Sequence, residues 1–344
     1  MELKYYYKKT LDKYIFEVFN IRFILPVPYN VNNKFYSYID SLLVLIHGNN
    51  RVGIGEAVFT DEKELEEATV FSKEFIDSLS LDYLYGIKIF HEENGRKYVA
   101  INTALESFRE ELILGKKFNK ISFDVPHYIN SEDCLLKIYQ YKPKVIKLNI
   151  GSNYLKDIEI IKKIQQILTV FKLDCKLRIY GNGLYHTFET GQLLTQINPN
   201  YCECLIQLLP DYLETTHLSL KEQFKKFHFG LNSCDVNKLN SEKWVCKLEL
   251  SSCGSLESLF KTIRDIKSKV YLGSEISGYI NNIYELYTFS KNFKTIDHTI
   301  ESKGFAYLAE DFSGIKIEGP CSYTIDLNVL MSSFLKGLNI FRKK

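Results

Sequence analysis

The stretch KVIKLNIG, residues 144–151, alternates Val145, Lys147 and Asn149 with Ile146, Leu148 and Ile150 before stopping at Gly151. That period of two belongs to a strand, so a lysine and an asparagine share one face near its carboxyl end. A lysine there can move a proton or hold an anion, whereas an asparagine amide only hydrogen-bonds and accepts no proton at neutral pH. Other short apolar runs end in groups able to bind or to carry protons: Asp124, Tyr180 and Asn182, Gln207, Asn232, Glu249, Glu275, Glu310 and Asp311. Glu249 is the candidate base if burial raises its pKa, with Lys147 and Tyr180 as the other candidate catalytic groups. Asn149, Asn182, Gln207, Asn232 and Glu275 are candidates for holding a substrate. The competing arrangement is an internal ion pair of Glu249 with Lys247 or Lys147, which leaves no base.

Such groups act together only if one scaffold gathers several strand ends. From residue 119 the chain repeats short apolar strands, each followed by a segment of helical period: ISFDV, VIKLNI, LRIYGN, ECLIQLL, FHFGLN, VCKLEL, KVYLGS and FAYLAE. Between them, DIEIIKKIQQILTVF puts Ile160, Ile161, Ile164, Leu168 and Phe171 on one side, and LESLFKTIRDI does the same with Leu256, Leu259, Ile263 and Ile266. Strands alternating with helices imply a parallel sheet, and eight units close most naturally into a barrel whose chemistry sits at the carboxyl ends of its strands. A doubly wound open sheet is the rival, but no Gly-x-Gly-x-x-Gly turn follows the early strands.

The first 118 residues have a different texture. Residues 14–60 read as antiparallel strands, with DSLLVLIHGNNRVGIGEAVF predicting a hairpin. NTALESFREELILGKK predicts a helix capped by Asn102 or Thr103, apolar along Leu105, Phe108 and Leu112, and ended by Gly115.

Composition narrows the partners. Across 344 residues the net charge is +2, with 45% apolar and 25% charged residues, so no field concentrates nucleic acid or an anionic membrane. The N-terminus lacks the apolar core of a signal peptide, and no run approaches the roughly 18 apolar residues of a membrane span, so a cytoplasmic protein is expected. Eight cysteines are scattered; only Cys202 and Cys204 lie close, and one Cys-x-Cys without a second pair is a weak metal signal.

The VGIGEAVF segment, the Lys-x-Asn strand and the ending AEDFSGIKIEGPCSYTIDL, in that order and spacing, resemble the enolase superfamily over nearly the whole chain. The likeness is closer to its muconate-lactonizing branch, with dipeptide epimerases and o-succinylbenzoate synthases. The resemblance implies an α/β fold: a modified (β/α)8 TIM-like barrel over residues 119–314 and an α+β capping domain over 1–118, completed by 315–344. Gly53, Gly55, Glu56 and Ala57 then belong to the cap, and cap loops near Pro28, Tyr29 and Phe59 choose the substrate.

The resemblance also implies Mg²⁺, held by three carboxylates, stabilising an enolate while a lysine moves the proton next to a substrate carboxylate. This chain departs from that pattern. Asn149 stands where the second lysine of Lys-x-Lys should be, Tyr180 where the third strand should offer an aspartate, Gln207 at the fourth, Asn232 at the fifth, and Glu249 where the opposing lysine should stand. Neutral amides and a phenol are poor Mg²⁺ ligands, so no metal and no cofactor is expected. Asp211 and Asp235, just beyond strands four and five, are the shifted ligands if the register differs. The expected partner is a small carboxylated molecule, dipeptide or N-acyl amino acid-like, with a homo-oligomer left open. Three functions compete: a metal-independent relative of the epimerases or an inactive homologue, a non-catalytic small-molecule or protein-binding scaffold, and an active Mg²⁺-dependent isomerase or eliminating enzyme with shifted ligands.

Overall fold

Four antiparallel strands, β1 (Glu2–Leu11), β2 (Tyr14–Val31), β3 (Lys34–Gly48) and β4 (Arg51–Phe59), form one sheet in chain order. The structure, a computed structural model, describes residues 2–31, 34–81, 95–113, 115, 117–129, 132–151, 153–273, 277–292, 294, 296–297, 299–301 and 315–342, with the side chains of all but 26–35, 132–133 and 339–342. The predicted hairpin is present: Gly48 pairs with Arg51 across Asn49 and Asn50, whose φ values of 51° and 57° suit the two-residue turn that matches strand twist.

Two helices cover this sheet. The first, Glu62–Ser78, starts on Asp61, whose carboxylate accepts from the backbone N–H of Lys63 and Glu64. The second runs Arg96–Arg109, so it begins before the expected cap and stops short of Gly115. The reason is an apolar stripe longer than the one read from sequence: Tyr98, Val99 and Ile101 are buried ahead of Leu105 and Phe108. Asn102 is therefore mid-helix, and its amide donates to the Gly254 carbonyl at 2.9 Å. The glycines of VGIGEA let β4 lie against this helix, since a Cβ at Gly55 would fall 1.9 Å from the Ala100 carbonyl oxygen.

β5 (Lys120–Asp124) was expected as the first barrel strand, but it lies outside the parallel sheet. That sheet holds β6 (His127–Ile129), β7 (Val145–Asn149), β8 (Lys176–Tyr180), β9 (Cys202–Ile206), β10 (Phe229–Asn232), β11 (Val245–Leu248) and β12 (Val270–Leu272), each parallel to the next in chain order. β5 instead pairs antiparallel with β14 (Ser322–Asp326), itself paired with β13 (Ile315–Gly319), and Pro126, which has no N–H to give a ladder, separates it from β6. The helices Tyr154–Val170 and Leu256–Asp265 bury the predicted Ile161, Ile164, Leu168 and Leu256, Leu259, Ile263.

The curled sheet is bridged at its edge by residues 296–301. Ile296 pairs with Val270 of β12, Thr299 pairs with Asp124, and the N–H groups of Ile300 and Glu301 donate to Asp124 and Leu272. The segment FAYLAE, expected in the eighth position, lies outside the described residues. The fold is thus mixed α/β, with a parallel barrel-like sheet and an α+β cap. Among the described residues no helix is long and apolar enough to cross a membrane.

Cap and barrel are tied by buried carboxylates set at helix starts. Glu56, from the VGIGEA strand, accepts from the Ile280 N–H at 2.7 Å in the first turn of the helix Tyr279–Asn292. Glu106 accepts from the N–H groups of Leu256 and Glu257, both at 2.8 Å. Both meet the positive end of a helix dipole.

Candidate active site

Strand alternation decides which side chains enter the barrel. Ile146 and Leu148 of β7 join the helix-side core, so Lys147 and Asn149 share the opposite, inner face. On β8, Leu177 and Ile179 face the helices, while Tyr180 belongs to an inner cluster with Cys204, Ile206, Val245 and Tyr271. Arg178, fully buried, shares the inner face of Tyr180.

These inner groups converge on Glu301. Its Oε2 accepts from Lys147 Nζ at 2.8 Å and its Oε1 from Arg178 Nη1 at 2.6 Å, and the Tyr180 hydroxyl donates to Oε1 as well. Tyr128 donates to the Glu301 carbonyl. The Lys147 ammonium lies 3.9 Å from the Tyr180 ring centre, and the Arg178 guanidinium 3.6 Å from that of Tyr271. Arg178 also reaches Glu203 at 3.0 Å and Asp297 at 3.4 Å, and Lys269 joins the same two carboxylates at 2.7 and 2.8 Å. Toward the mouth, Lys247 pairs with Glu249 at 2.6 Å. Among the described residues of this column four cations, Lys147, Arg178, Lys247 and Lys269, meet four carboxylates, Glu203, Glu249, Asp297 and Glu301.

Electrostatics follow from that pairing. Burial alone would raise the Glu301 pKa, but Lys147 and Arg178, with Lys247 behind them, hold it at about 2. Burial likewise acts to raise Glu249, yet Lys247 reverses the sign and leaves it below the ordinary carboxylate value. The expectation of a Glu249 base with a raised pKa is therefore corrected: the internal ion pair with Lys247 is what forms. Tyr180 is pushed well above the usual phenol value by burial and then by Glu301, so its proton stays on the oxygen.

The other sequence candidates scatter. Asn149 is half-buried at the end of β7. Asn182 is exposed in the turn after β8 at φ 51°. Gln207, also at φ 51°, braces its own loop: its amide donates to the Leu209 carbonyl at 3.2 Å and accepts from the Asn232 N–H at 3.3 Å. Asp211 accepts from that amide, and Asp235 caps the helix Val236–Ser241, so each is occupied locally. Asp124 is held by Lys144 and Ser322 at the join with the cap. Glu275, Glu310, Asp311 and the side chain of Tyr29 lie outside the described residues; the Tyr29 backbone pairs with Tyr36.

A cleft of about 620 Å³ opens beside the mouth. Phe59, Glu64, Glu67, Arg96 and Lys97 line it from the cap, and Asn232, Ser233, Cys234, Ser251 and Ser252 from the barrel loops. The cap side thus brings two cations and two carboxylates, with Arg96 3.9 Å from Glu64, and the barrel side hydroxyls and an amide, a lining that suits a small polar molecule.

Arg178 and Glu301 carry the column, and neither was among the sequence candidates. Their signal was present: Asp297, Thr299 and Glu301 alternate with Ile296 and Ile300, and Arg178 has the parity of Tyr180.

Among the described residues, the donor set does not match the Mg²⁺ site that the resemblance implies. The expected acidic positions carry Tyr180, Gln207 and Asn232, and the carboxylates Glu249 and Glu301 are each closed by a cation. Among the described residues no group of three or more His, Cys, Asp and Glu side chains is placed to hold an ion. Mg²⁺ requires near-octahedral oxygen ligands with charge to offset its dehydration.

Comparison with solved structures places this architecture among muconate lactonizing enzymes and dipeptide epimerases. The L-Ala-D/L-Glu epimerase from Bacillus subtilis matches with a TM-score of 0.73 at 16% identity, over 90% of this chain and 95% of that one. A dipeptide epimerase from Enterococcus faecalis V583, solved with Mg and the dipeptide L-Leu-L-Tyr, gives 0.72 at 14% over 92% and 98%. Muconate lactonizing enzyme from Pseudomonas putida gives 0.68 at 14% over 93% and 98%. At such identities the likeness establishes the fold alone. No protein-family model matches the sequence, and no curated protein matches it either.

Proposed function

We propose that this chain is a diverged member of the epimerase-like fold that binds a small carboxylated molecule, dipeptide or N-acyl amino acid-like, in the cleft between cap and barrel mouth, without metal-assisted enolate chemistry. The observation that carries this reading is the Glu301 column. A lysine whose Nζ is spent on a buried carboxylate is a hydrogen-bond donor and offers no lone pair to a substrate proton. At the cleft Arg96 and Lys97 can donate to a ligand carboxylate, and Glu64 and Glu67 beside them can accept from its amine or amide.

One observation favours a second reading, a metal-independent proton transfer. The Lys247–Glu249 pair adjoins the cleft through Ser251, whose hydroxyl donates to Glu249 at 3.2 Å. A ligand that drew Lys247 away would leave a carboxylate able to accept a proton.

The test is α-carbon deuterium exchange in dipeptides and N-acyl amino acids, followed by NMR with and without Mg²⁺, beside calorimetric binding of the same compounds. Binding without exchange is expected, together with a melting temperature indifferent to Mg²⁺. Exchange only with Mg²⁺ would overturn the proposal, and exchange in its absence would establish the second reading.

A further inference from the structure

Two thiols meet at the barrel side of the cleft. Cys234 lies in the loop after β10 and lines the cavity, and Cys253 ends the short helix Leu250–Cys253 that follows β11. Their sulfurs stand 3.2 Å apart. That is about 1 Å more than the S–S bond of about 2.05 Å, a gap that small side-chain and loop rotations can close. Both neighbours allow such movement. Cys234 sits in irregular chain ahead of the helix Val236–Ser241, and Cys253 is followed by Gly254 in the left-handed region at φ 78°.

Their surroundings give the two sulfurs different roles. Either thiol can donate in this contact; with Cys253 as the donor the Cys234 pKa is lowered against the opposing effect of burial. Cys253 is pushed the other way, first by that same hydrogen bond and then by burial. The cleft-facing sulfur is thus the one that an oxidant entering the cleft meets first, with its partner behind it. A third thiol nearby, Cys246, is directed elsewhere, its Sγ 3.3 Å from the Ser233 carbonyl.

We propose that Cys234 and Cys253 form an oxidant-responsive pair, in which peroxide oxidises Cys234 at the cleft and Cys253 resolves the product into a disulfide. In the first step hydrogen peroxide takes two electrons from the Cys234 thiolate: an S–O bond forms, the O–O bond breaks, and the released hydroxide is protonated to water. In the second step the Cys253 sulfur attacks the Cys234 sulfur, the S–S bond forms, the S–O bond breaks, and the departing hydroxide leaves as water with the Cys253 proton. The product ties the loop after β10 to the segment after β11 across one side of the cleft. This chemistry needs no ligand in the cleft and stands apart from the proposed function.

The experiment treats the reduced full-length protein with graded hydrogen peroxide, blocks remaining thiols by alkylation and maps them by mass spectrometry. The eight free cysteines should fall to six, with one linked peptide pair joining Cys234 to Cys253 and full recovery on reduction. Cys234 should react at least tenfold faster than Cys134 or Cys321. In Cys253→Ser the sulfenic acid on Cys234 should persist and be trapped by dimedone, and in Cys234→Ser the low-dose reaction should vanish. All eight thiols surviving at doses that convert free cysteine, or a bridge between any other pair, would overturn the proposal. The wild-type map decides this without either variant.

Discussion

Buried carboxylates at the domain join and on the barrel axis titrate in opposite directions. At the join between cap and barrel, Glu56 is wholly buried and faces backbone N–H groups and a hydroxyl; burial dominates and raises its pKa to about 7. On the barrel axis, Glu301 is equally buried but faces Lys147, Arg178 and Tyr180, and its pKa falls to about 2. Burial is common to both, so the partner decides the sign. A helix terminus brings partial charge and can hold either form of the acid, whereas two full cations admit only the carboxylate. The first arrangement fastens two domains, and the second fills the space in which a barrel of this fold would keep its chemistry.

The largest effect should come from breaking the axis. Glu301→Gln removes the buried carboxylate that Lys147 and Arg178 share, while Arg178 keeps Glu203 and Asp297, and a loss of about 3–5 kcal/mol is expected from urea unfolding midpoints. A loss below about 1 kcal/mol would mean that water or a rearranged pair already satisfies these cations.

Next in size is the pH dependence. Glu56 binds its proton more tightly when folded, so its contribution is present below about pH 4.5 and declines as pH rises through about 7. Glu301 runs the other way, with a contribution present above about pH 4.5 and lost only as pH falls toward about 2. Between pH 5 and 8 Glu56→Gln should therefore flatten the stability curve by roughly 2–3 kcal/mol relative to wild type, measured by denaturation at each pH. An unchanged slope would show that Glu56 stays ionised throughout.

The smallest effect tests the open end of the column. Lys269 is 45% exposed although it bridges Glu203 and Asp297. Lys269→Ala should cost less than about 1 kcal/mol and the cost should shrink with added salt, since water screens this pair. A cost comparable to that of Glu301→Gln would erase the distinction between rim and axis.

How much was legible can be traced through particular residues. The hairpin at Asn49–Asn50 and the helix Tyr154–Val170 were readable because turn chemistry and a period of 3.6 are local properties. The start of the helix at Arg96 was misplaced, because Asn102 has the chemistry of a cap but is used across the domain join to hold Gly254. β5 was read as a barrel strand, because its alternation says nothing about whether its partner is parallel or antiparallel. In the site, Lys147 and Tyr180 were found by parity at a strand end, while Arg178 and Glu301 were passed over although their parity was equally plain.

By itself the sequence determined which side chains face inward, since alternation along a strand is fixed by the backbone within a few residues. It also set a phenol, Tyr180, at the end of one inner strand and amides, Gln207 and Asn232, at the ends of two others. Only the tertiary structure decided that Glu301 meets Lys147 across 154 positions of chain and Arg178 across 123. Ion pairing depends on distance in space, and that distance exists only once the sheet has curled and brought residues 299–301 within reach of β7 and β8.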